Sequence, residues 1–243
     1  MISFSEERLA RVADMERWHF WFAGRQAILN QLWHRHVQGQ CKVLDVGCGT
    51  GHTLRELSRL GHRVVGIDAR PEGLRALRRE WPNADVVQAV APHLPLVDET
   101  FDVILMLDVL EHTDDLALLA QSHRLLRPGG WVFLSVPALP WLWSYRDEAA
   151  GHLRRYTRAQ LRKLLADARF VALDVRFYQC WLLPVAVITR LLGRRWPGLR
   201  DAEERPNRLL NQLLSAANRL EARLSDRIAW PMGLSLVAAC QKA

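Results

Sequence analysis

The sequence has very little lysine. Only three of its 33 basic side chains are lysines and the other 30 are arginines, against 26 acidic side chains and a formal net charge of +7 over 243 residues. Arginine presents a planar, weakly hydrated fork that suits phosphates, carboxylates and lipid head groups. The predominance of arginine therefore suits a protein that binds a polyanion, an anionic small molecule or a membrane surface. An arginine-favouring genome explains the same composition equally well.

Cysteine is scarce, and its spacing shows no motif. The four cysteines, Cys41, Cys48, Cys180 and Cys240, form no C-x-x-C pair, which excludes zinc-ribbon and thioredoxin-like motifs. Four free thiols suit a reducing compartment. No other cluster has strong ligand spacing, so the sequence predicts no metal ligands, and assistance by a divalent metal stays open.

Long apolar runs are also missing. The first 18 residues include acidic side chains and lack the apolar stretch of a signal peptide. Prolines break the uncharged segment 128–145, and the apolar runs 177–189 and 228–241 are shorter than the roughly 20 residues that cross a bilayer. We therefore expect a cytoplasmic protein without a membrane-spanning helix, and peripheral contact with the inner face of the membrane stays open.

From residue 42 onwards, short apolar runs alternate with helical patterns. Seven segments have the composition of strands: 42–46, 63–67, 85–88, 101–107, 131–136, 170–178 and 234–241. Helices are expected to start near Thr50, Pro71 and Asp114, and Thr157 opens a capping box. Alternation of this kind predicts an α/β fold with a doubly wound, mostly parallel sheet.

Helical patterns flank this core. The first 40 residues predict one helix capped by Ser5 and a second over 25–37. Roughly 50 residues separate the last two strands, which is too long for a hairpin loop. They hold an apolar run and an amphipathic helix whose apolar face includes Leu209, Leu213 and Leu220. Core packing, a dimer interface, a greasy ligand and a membrane surface are the alternatives for that face.

A glycine-rich segment decides the class of ligand. The stretch 43–51, VLDVGCGTG, follows a strand and opens a helix. His52 stands where a dinucleotide fingerprint needs Gly or Ala, and no Walker lysine follows. Asp45 suits an ammonium group, and Asp68 ends the second strand, where a carboxylate accepts ribose hydroxyls. A sugar and a cation without a pyrophosphate describe S-adenosylmethionine.

With these residues the sequence resembles the class I S-adenosylmethionine-dependent methyltransferases, in particular their type-11-like small-molecule branch. Four motifs stand in order over about residues 40–178: VLDVGCGTG, VVGID, FDVILMLDVLEH and LLRPGGWVFLSVP. The resemblance implies a Rossmann-like, doubly wound sheet of seven strands, mostly parallel with an antiparallel last strand, plus N-terminal helices and a helical insertion before that strand. We expect a lid at 1–40, the donor-binding core at 41–178, the insertion at 179–233 and the final strand at 234–243.

The resemblance also implies which residues bind the donor, S-adenosylmethionine. Asp45 orders the glycine turn and the methionine amine, Asp68 binds the ribose, and Ala69 lies against the adenine. The remaining expected donor contacts are Gly47, Cys48, Gly49, Gly51, Leu107 and Asp108. Val90 stands where the family often has an acid for the adenine amine, so another group must recognise the adenine.

Histidines near strand ends are the candidates for chemistry, because an oxygen or nitrogen nucleophile needs its proton removed. His112 follows the fourth strand, and His152 lies in a D-x-x-x-x-H-L-R-R-Y segment that resembles one facing the acceptor site in type-11-like enzymes. We predict His112, His152 and Tyr156 as catalytic and Arg155 as acceptor-binding. A capping or packing histidine at His112 and a solvated charged loop around His152 are the alternatives.

Residues 16–25, ERWHFWFAGR, resemble the ExxHFWFxxR-like opening of a bacterial subset of these enzymes. His19, Trp21 and Arg25 are predicted to contact the acceptor in a lid that screens the donor from water. An aromatic helix face docked on the core is the alternative.

These features predict an S-adenosylmethionine-dependent methyltransferase for a small-molecule acceptor, with O-methylation of an apolar, lipid-like or natural-product scaffold favoured. The acceptor could be lipid-linked, with peripheral membrane contact through the insertion. RNA methylation is less favoured because LDVLEH stands where an NPPY or DPPY motif would follow strand four, and no RNA-binding module is evident. A donor-binding subunit without catalysis is the third hypothesis.

Overall fold

A computed structural model describes residues 13–192 and 206–243, so the predicted helix cap at Ser5 lies outside the described residues. Seven strands form one sheet in the order β3-β2-β1-β4-β5-β7-β6. The strands are β1 (Lys42–Val46), β2 (Arg63–Asp68), β3 (Val86–Gln88), β4 (Phe101–Leu107), β5 (Leu126–Pro137), β6 (Phe170–Tyr178) and β7 (Ser235–Lys242).

Strand direction follows the expected pattern. The first five strands pair in parallel, whereas β7 runs antiparallel to both β5 and β6. The prediction of a Rossmann-like, mostly parallel sheet with an antiparallel last strand is therefore confirmed. The carboxyl ends of β1, β2 and β4 lie side by side at one edge, where ligands bind in doubly wound folds.

Helices cover both faces of the sheet. The longer helices of the described residues are α1 (Phe20–His36), α2 (His52–Arg59), α3 (Pro71–Glu80), α4 (Asp115–Leu125), α5 (Tyr145–Ala150), α6 (Arg158–Asp167), α7 (Leu183–Leu192) and α8 (Arg208–Leu224). In the described part of the chain, no helix is both long enough and apolar enough to cross a bilayer.

The continuous apolar run of β4 is buried on both faces. Ile104 and Met106 join a core cluster with Leu118 of α4, whereas Val103 packs in a second cluster with Leu32 of α1. A strand between two helical layers needs apolar side chains at successive positions. This position at the centre of the sheet explains why β4 does not show the alternation of a half-exposed strand.

Helix α1 begins earlier than the sequence pattern indicated. The prediction placed a helix over 25–37, but α1 starts at Phe20, and residues 13–18 before it are also helical. His19 is extended and caps α1, because its Nδ1 accepts a hydrogen bond from the backbone N–H of Trp21 at 3.2 Å. The aromatic segment therefore forms the first turns of α1.

Helix α8 has an orientation that its apolar pattern did not reveal. Leu209 is 67% exposed, Leu213 60% and Leu220 48%. The buried side of the helix is mostly polar: Asn211, Ser215, Asn218, Glu221 and Ala222. The alternative that these three leucines pack in the core is therefore wrong. Polar side chains of α8 face the core, and the leucines face the solvent.

The polar face of α8 fixes the start of α1. The Asn211 side chain accepts from the backbone N–H of Phe20 at 2.8 Å and donates to the carbonyl of Trp18 at 2.7 Å. The Asn218 amide donates to the carbonyl of Phe20 at 2.9 Å. The first N–H groups of a helix lack intrahelical partners, so these amides satisfy backbone groups that aliphatic side chains could not.

Candidate active site

The glycine-rich loop between β1 and α2 has the backbone that its sequence requires. Gly47 and Gly49 have φ values of 76° and 54°, which L side chains rarely adopt. A Cβ at Gly49 would meet nothing within 4 Å, and both glycines line a cavity. The loop therefore offers bare backbone to a ligand.

Gly51 serves a different purpose. Its φ is 76°, and a Cβ there would lie 2.5 Å from the Cδ1 atom of Leu77 in α3. Of the nine predicted donor contacts, Gly51 alone does not line the cavity in the described structure. The third glycine of the motif allows α3 to pack closely on the loop, and its donor contact stays a prediction.

A cavity of about 400 Å³ lies at the carboxyl ends of β1, β2 and β4. The other eight predicted donor residues line it: Asp45, Gly47, Cys48, Gly49, Asp68, Ala69, Leu107 and Asp108. We call this space the donor cavity. It combines acids with an open glycine turn, which fits a ligand that carries a ribose and an ammonium group.

Asp68 is held rigidly in the donor cavity. Its Oδ2 atom accepts a hydrogen bond from the backbone N–H of Gly49, and its Oδ1 atom accepts one from that of Arg70, both at 2.8 Å. Each carboxylate oxygen keeps a second lone pair, since a carboxylate accepts about four bonds. Asp68 thus orders the loop and still offers acceptors to a ribose.

Asp45 is buried, and its surroundings change its acidity. Burial, together with the nearby Glu16 and Asp68, raises the pKa of Asp45 to about 7, while Arg25 opposes the rise. Glu16 lines the same cavity and accepts a 3.3 Å hydrogen bond from the Thr50 hydroxyl. The sequence motif contained Glu16, but no residue type or spacing indicated that it reaches the donor loop.

The start of α1 closes over the donor cavity. The Nη1 atom of Arg25 lies 2.8 Å from Oδ2 of Asp108, and the Ser135 hydroxyl donates to Oδ1 of Asp108 at 2.7 Å. Trp21 lines the cavity beside Arg25. Arg25, which was predicted to contact the acceptor, lines the donor cavity instead.

A second cavity, of about 470 Å³, shares Trp21, Phe22 and Asp108 with the first. We call it the acceptor cavity. Its remaining wall is partly aromatic and partly charged, and the predicted residues His19, His152 and Arg155 line it. Two cavities that meet at common residues can place two ligands next to each other.

His152 is oriented by a carboxylate. Its Nδ1 atom lies 2.9 Å from Oδ1 of Asp147, and Arg155 donates to the same oxygen at 2.6 Å. Burial raises the pKa of Asp147, but the bonds from His152 and Arg155 outweigh it and lower the pKa to about 2. An ionised Asp147 favours the tautomer in which Nδ1 of His152 carries the proton, and in that tautomer Nε2 is the acceptor.

Two predicted residues have structural roles. The guanidinium of Arg155 holds Asp147 and donates to the carbonyl of Ala138 at 2.6 Å, so it positions the acceptor wall. Tyr156 is buried, outside the lining of both cavities, and its hydroxyl donates to Asp115 at 2.9 Å. We therefore correct the catalytic assignment of Tyr156, because its hydroxyl is occupied by an acid on α4.

The sequence did not single out Glu111, although it is fully buried beside the two predicted histidines. His112 lines the donor cavity, whereas Glu111 and His152 line the acceptor cavity. Burial and the nearby Asp108 raise the pKa of Glu111 well above its ordinary value. These three side chains therefore form one cluster where the cavities approach each other.

A seven-stranded sheet of this order, with an acid-flanked glycine loop at its carboxyl edge, is the architecture of the class I S-adenosylmethionine-dependent methyltransferases. The chain belongs to the methyltransferase domain family, whose model matches residues 14–175.

Relatives agree with this assignment. The chain is 30% identical over 159 residues to a "Probable S-adenosylmethionine-dependent methyltransferase" of Mycolicibacterium smegmatis, a match over 64% of this chain and 61% of the relative. It is 36% identical over 148 residues to the ubiquinone biosynthesis O-methyltransferase of Albidiferax ferrireducens, over 52% and 56% of the two chains. The chain thus spans about three fifths of the length of these relatives.

A solved structure shows the same fold. The 1,6-didemethyltoxoflavin-N1-methyltransferase of Burkholderia thailandensis, with bound 1,6-didemethyltoxoflavin and S-adenosylhomocysteine, superposes with a TM-score of 0.57. The match covers 97% of this chain and 88% of that one, at 21% identity.

Proposed function

We propose that this chain transfers a methyl group from S-adenosylmethionine to an oxygen of a small, apolar acceptor. The observation that carries the proposal is the meeting of the donor and acceptor cavities at Trp21, Phe22 and Asp108. Direct methyl transfer needs the two reactants in contact and in line, and positioning of this kind supplies much of the rate.

The residues divide the work between the two cavities. S-adenosylmethionine, when bound, supplies a methyl group on a sulfonium that needs no further activation. Asp68 binds the ribose and Asp45 binds the methionine ammonium, while Trp21 and Phe22 exclude water from the junction. Nε2 of His152 takes the proton of the acceptor hydroxyl, because Asp147 accepts the proton on Nδ1.

The lining of the acceptor cavity favours an aromatic, hydroxylated acceptor. Phe20, Trp21, Phe22 and Tyr145 contribute rings to its wall, and aromatic side chains stack readily on a flat ring. Among the relatives are a ubiquinone biosynthesis O-methyltransferase and a demethylmenaquinone methyltransferase. Both names support a quinone-like acceptor in this chain, and the first also supports O-methylation.

The exposed leucines of α8 extend the proposal to a lipid-like acceptor reached at the inner face of the membrane. Trp181, Val185 and Ile188 are also exposed, at the start of α7 and along it. Apolar side chains on the surface of a helix can lie in the lipid interface, and Arg219 and Arg223, which are exposed on α8, favour anionic head groups. We infer peripheral contact through the segment 179–233, which holds α7 and α8.

The experiment is methyl transfer from radiolabelled donor by the full chain, with membrane-lipid, water-soluble and total-RNA extracts as separate acceptor pools. We expect label in the lipid pool. Label confined to RNA would overturn the choice of acceptor in favour of an RNA methyltransferase. Binding of S-adenosylhomocysteine without label in any pool would favour a donor-binding subunit.

The acidity of Asp45 predicts a pH dependence of donor binding. Its pKa is about 7 in the free protein, and a bound ammonium group stabilises the ionised carboxylate and lowers that pKa. Protonation as the pH falls through 7 therefore competes with the ligand. We expect S-adenosylhomocysteine to bind roughly tenfold more weakly at about pH 6 than at about pH 7.5, measured by calorimetry.

Asp45→Asn is the control for this dependence, since it removes the titrating group and keeps the shape of the side chain. The variant should bind more weakly than the unchanged chain and with a flat profile over the same range. A flat profile in the unchanged chain would contradict the role of Asp45.

A further inference from the structure

We propose that Glu111, His112 and His152 bind a divalent transition-metal ion between the donor and acceptor cavities. The catalytic role of this ion rests on the proposed methyl transfer, whereas its binding does not. Each of the three residues offers one ligand atom, and the three atoms lie within 4.8 Å of one another. Two bonds of about 2.1 Å to a central ion span roughly 4.2 Å, which is slightly less than the largest separation of the ligand atoms. Small side-chain rotations would therefore bring all three atoms within bonding distance of one ion.

Both histidines are oriented for this role by partners behind them. Nδ1 of His152 lies 2.9 Å from Oδ1 of Asp147, and Nδ1 of His112 lies 3.2 Å from the carbonyl oxygen of Gly151. A metal-binding histidine characteristically donates its other ring N–H to a carboxylate or a carbonyl. Because both Nδ1 atoms are occupied in this way, both Nε2 atoms are left as ligands.

The buried carboxylate of Glu111 is a second observation, independent of the ligand spacing, that points to a cation. Its side chain has no solvent exposure, and neither carboxylate oxygen has a hydrogen-bond partner among the described residues. Its Oε1 atom lies 3.9 Å from Nε2 of His152. A buried carboxylate without a partner is strongly unfavourable, and a cation at the position faced by the two histidines would offset this cost.

The donor set selects the kind of ion. Two imidazole nitrogens and one carboxylate oxygen suit Zn²⁺ and related first-row divalent ions, whereas Mg²⁺ prefers oxygen ligands. Three protein ligands leave positions open for a substrate oxygen. These positions face the acceptor, because Glu111 and His152 line the acceptor cavity.

With Nε2 of His152 bound to the ion, the ion would replace His152 in activating the acceptor and would act as a Lewis acid. A hydroxyl bound to a divalent ion loses its proton more easily, and that proton leaves to water. An oxygen lone pair then forms the bond to the methyl carbon, and the electrons of the broken carbon–sulfur bond return to sulfur. The products are the methylated acceptor, S-adenosylhomocysteine and one proton, and no oxidant or reductant takes part.

Local spacing could not reveal this site. Glu111 and His112 are adjacent, and His152 follows 40 residues later, so the ligands do not form a short motif. The 3-10 turn Leu110–His112 presents the first two, and the chain after α5 brings in the third. For this reason the proposal departs from the sequence-based expectation of no metal ligands.

The test is metal binding to the full chain after removal of metal with a chelator. Calorimetry should show one Zn²⁺ per chain, and Co²⁺ should give the visible absorption of a low-coordinate site. Glu111→Gln and His152→Ala should each weaken Zn²⁺ binding by about 10-fold to 100-fold, while S-adenosylhomocysteine binding reports that both variants are folded, because neither residue lines the donor cavity. Glu72→Gln and His93→Ala, which change exposed or half-exposed residues outside the cluster, should bind Zn²⁺ as the unchanged chain does.

Two outcomes would overturn the proposal: no stoichiometric Zn²⁺ or Co²⁺ binding, or equal binding by the cluster variants and their controls. Methyl transfer that persists after complete metal removal, in a chain that binds no ion, refutes the metal site and leaves the proposed function standing. One bound Zn²⁺ lost in Glu111→Gln supports the site even if no acceptor pool is labelled, in which case only the proposed function fails.

Discussion

Replacing His152 by alanine should lower the turnover number for methyl transfer by at least ~100-fold. The reason is geometric, since His152 lines the acceptor cavity and Asp147 orients its ring. Loss of the imidazole removes the free Nε2 atom, whether that atom takes the acceptor proton or holds an ion. Donor binding should stay within about threefold, because His152 does not line the donor cavity.

Turnover and S-adenosylhomocysteine affinity must be measured on the same preparations to separate chemistry from folding. His34→Ala is the matched control, because His34 is exposed on α1 and lines neither cavity. Asp147→Asn should also reduce turnover, since an amide no longer stabilises the required tautomer. Full turnover in His152→Ala would contradict the assignment of this cluster to the chemistry.

Replacing Asp68 by asparagine should weaken S-adenosylhomocysteine binding by about 100-fold. Both oxygens of Asp68 accept hydrogen bonds from backbone N–H groups, those of Gly49 and Arg70. The side-chain amide of asparagine would place its NH₂ donor opposite one of these N–H donors, so that hydrogen bond would be lost. The variant also loses a charged acceptor for the ribose. Two hydrogen bonds to a charged group contribute about 3 kcal/mol together, which corresponds to ~100-fold in affinity.

Calorimetric titration of the two proteins with S-adenosylhomocysteine checks this prediction. Asp85→Asn is the matched control, because Asp85 is exposed just before β3 and outside the donor cavity. It should bind with unchanged affinity. Equal affinities for Asp68→Asn and the unchanged chain would place the ribose elsewhere in the cavity.

The sheet and the donor loop could be predicted from the sequence because their signals are local. The apolar run of β4 and the acid at the end of β2 each report on a short segment, and strand order follows from the alternation of strands and helices. Gly47 and Gly49 are needed for their backbone angles, which are a property of the loop itself. Even here, the packing of Gly51 on Leu77 depends on α3 and needed the structure.

The acceptor side was less predictable because its contacts join distant segments. The polar face of α8 is buried since Asn211 and Asn218 bond to backbone groups nearly 200 residues away. Apolar periodicity identifies a helix but does not reveal such partners. In the same way, Tyr156 looked available for catalysis until its bond to Asp115 was known, and Glu111 gained significance only from its burial.

The most direct measurement of the central claim is transfer of a radiolabelled methyl group by the full chain to a membrane-lipid extract. Asp68→Asn and His152→Ala serve as parallel reactions. We expect labelled lipid from the unchanged chain, little label from Asp68→Asn because donor binding is lost, and little from His152→Ala although donor binding is kept. Labelled lipid of equal amount from all three proteins, or label found only in RNA, would contradict the account.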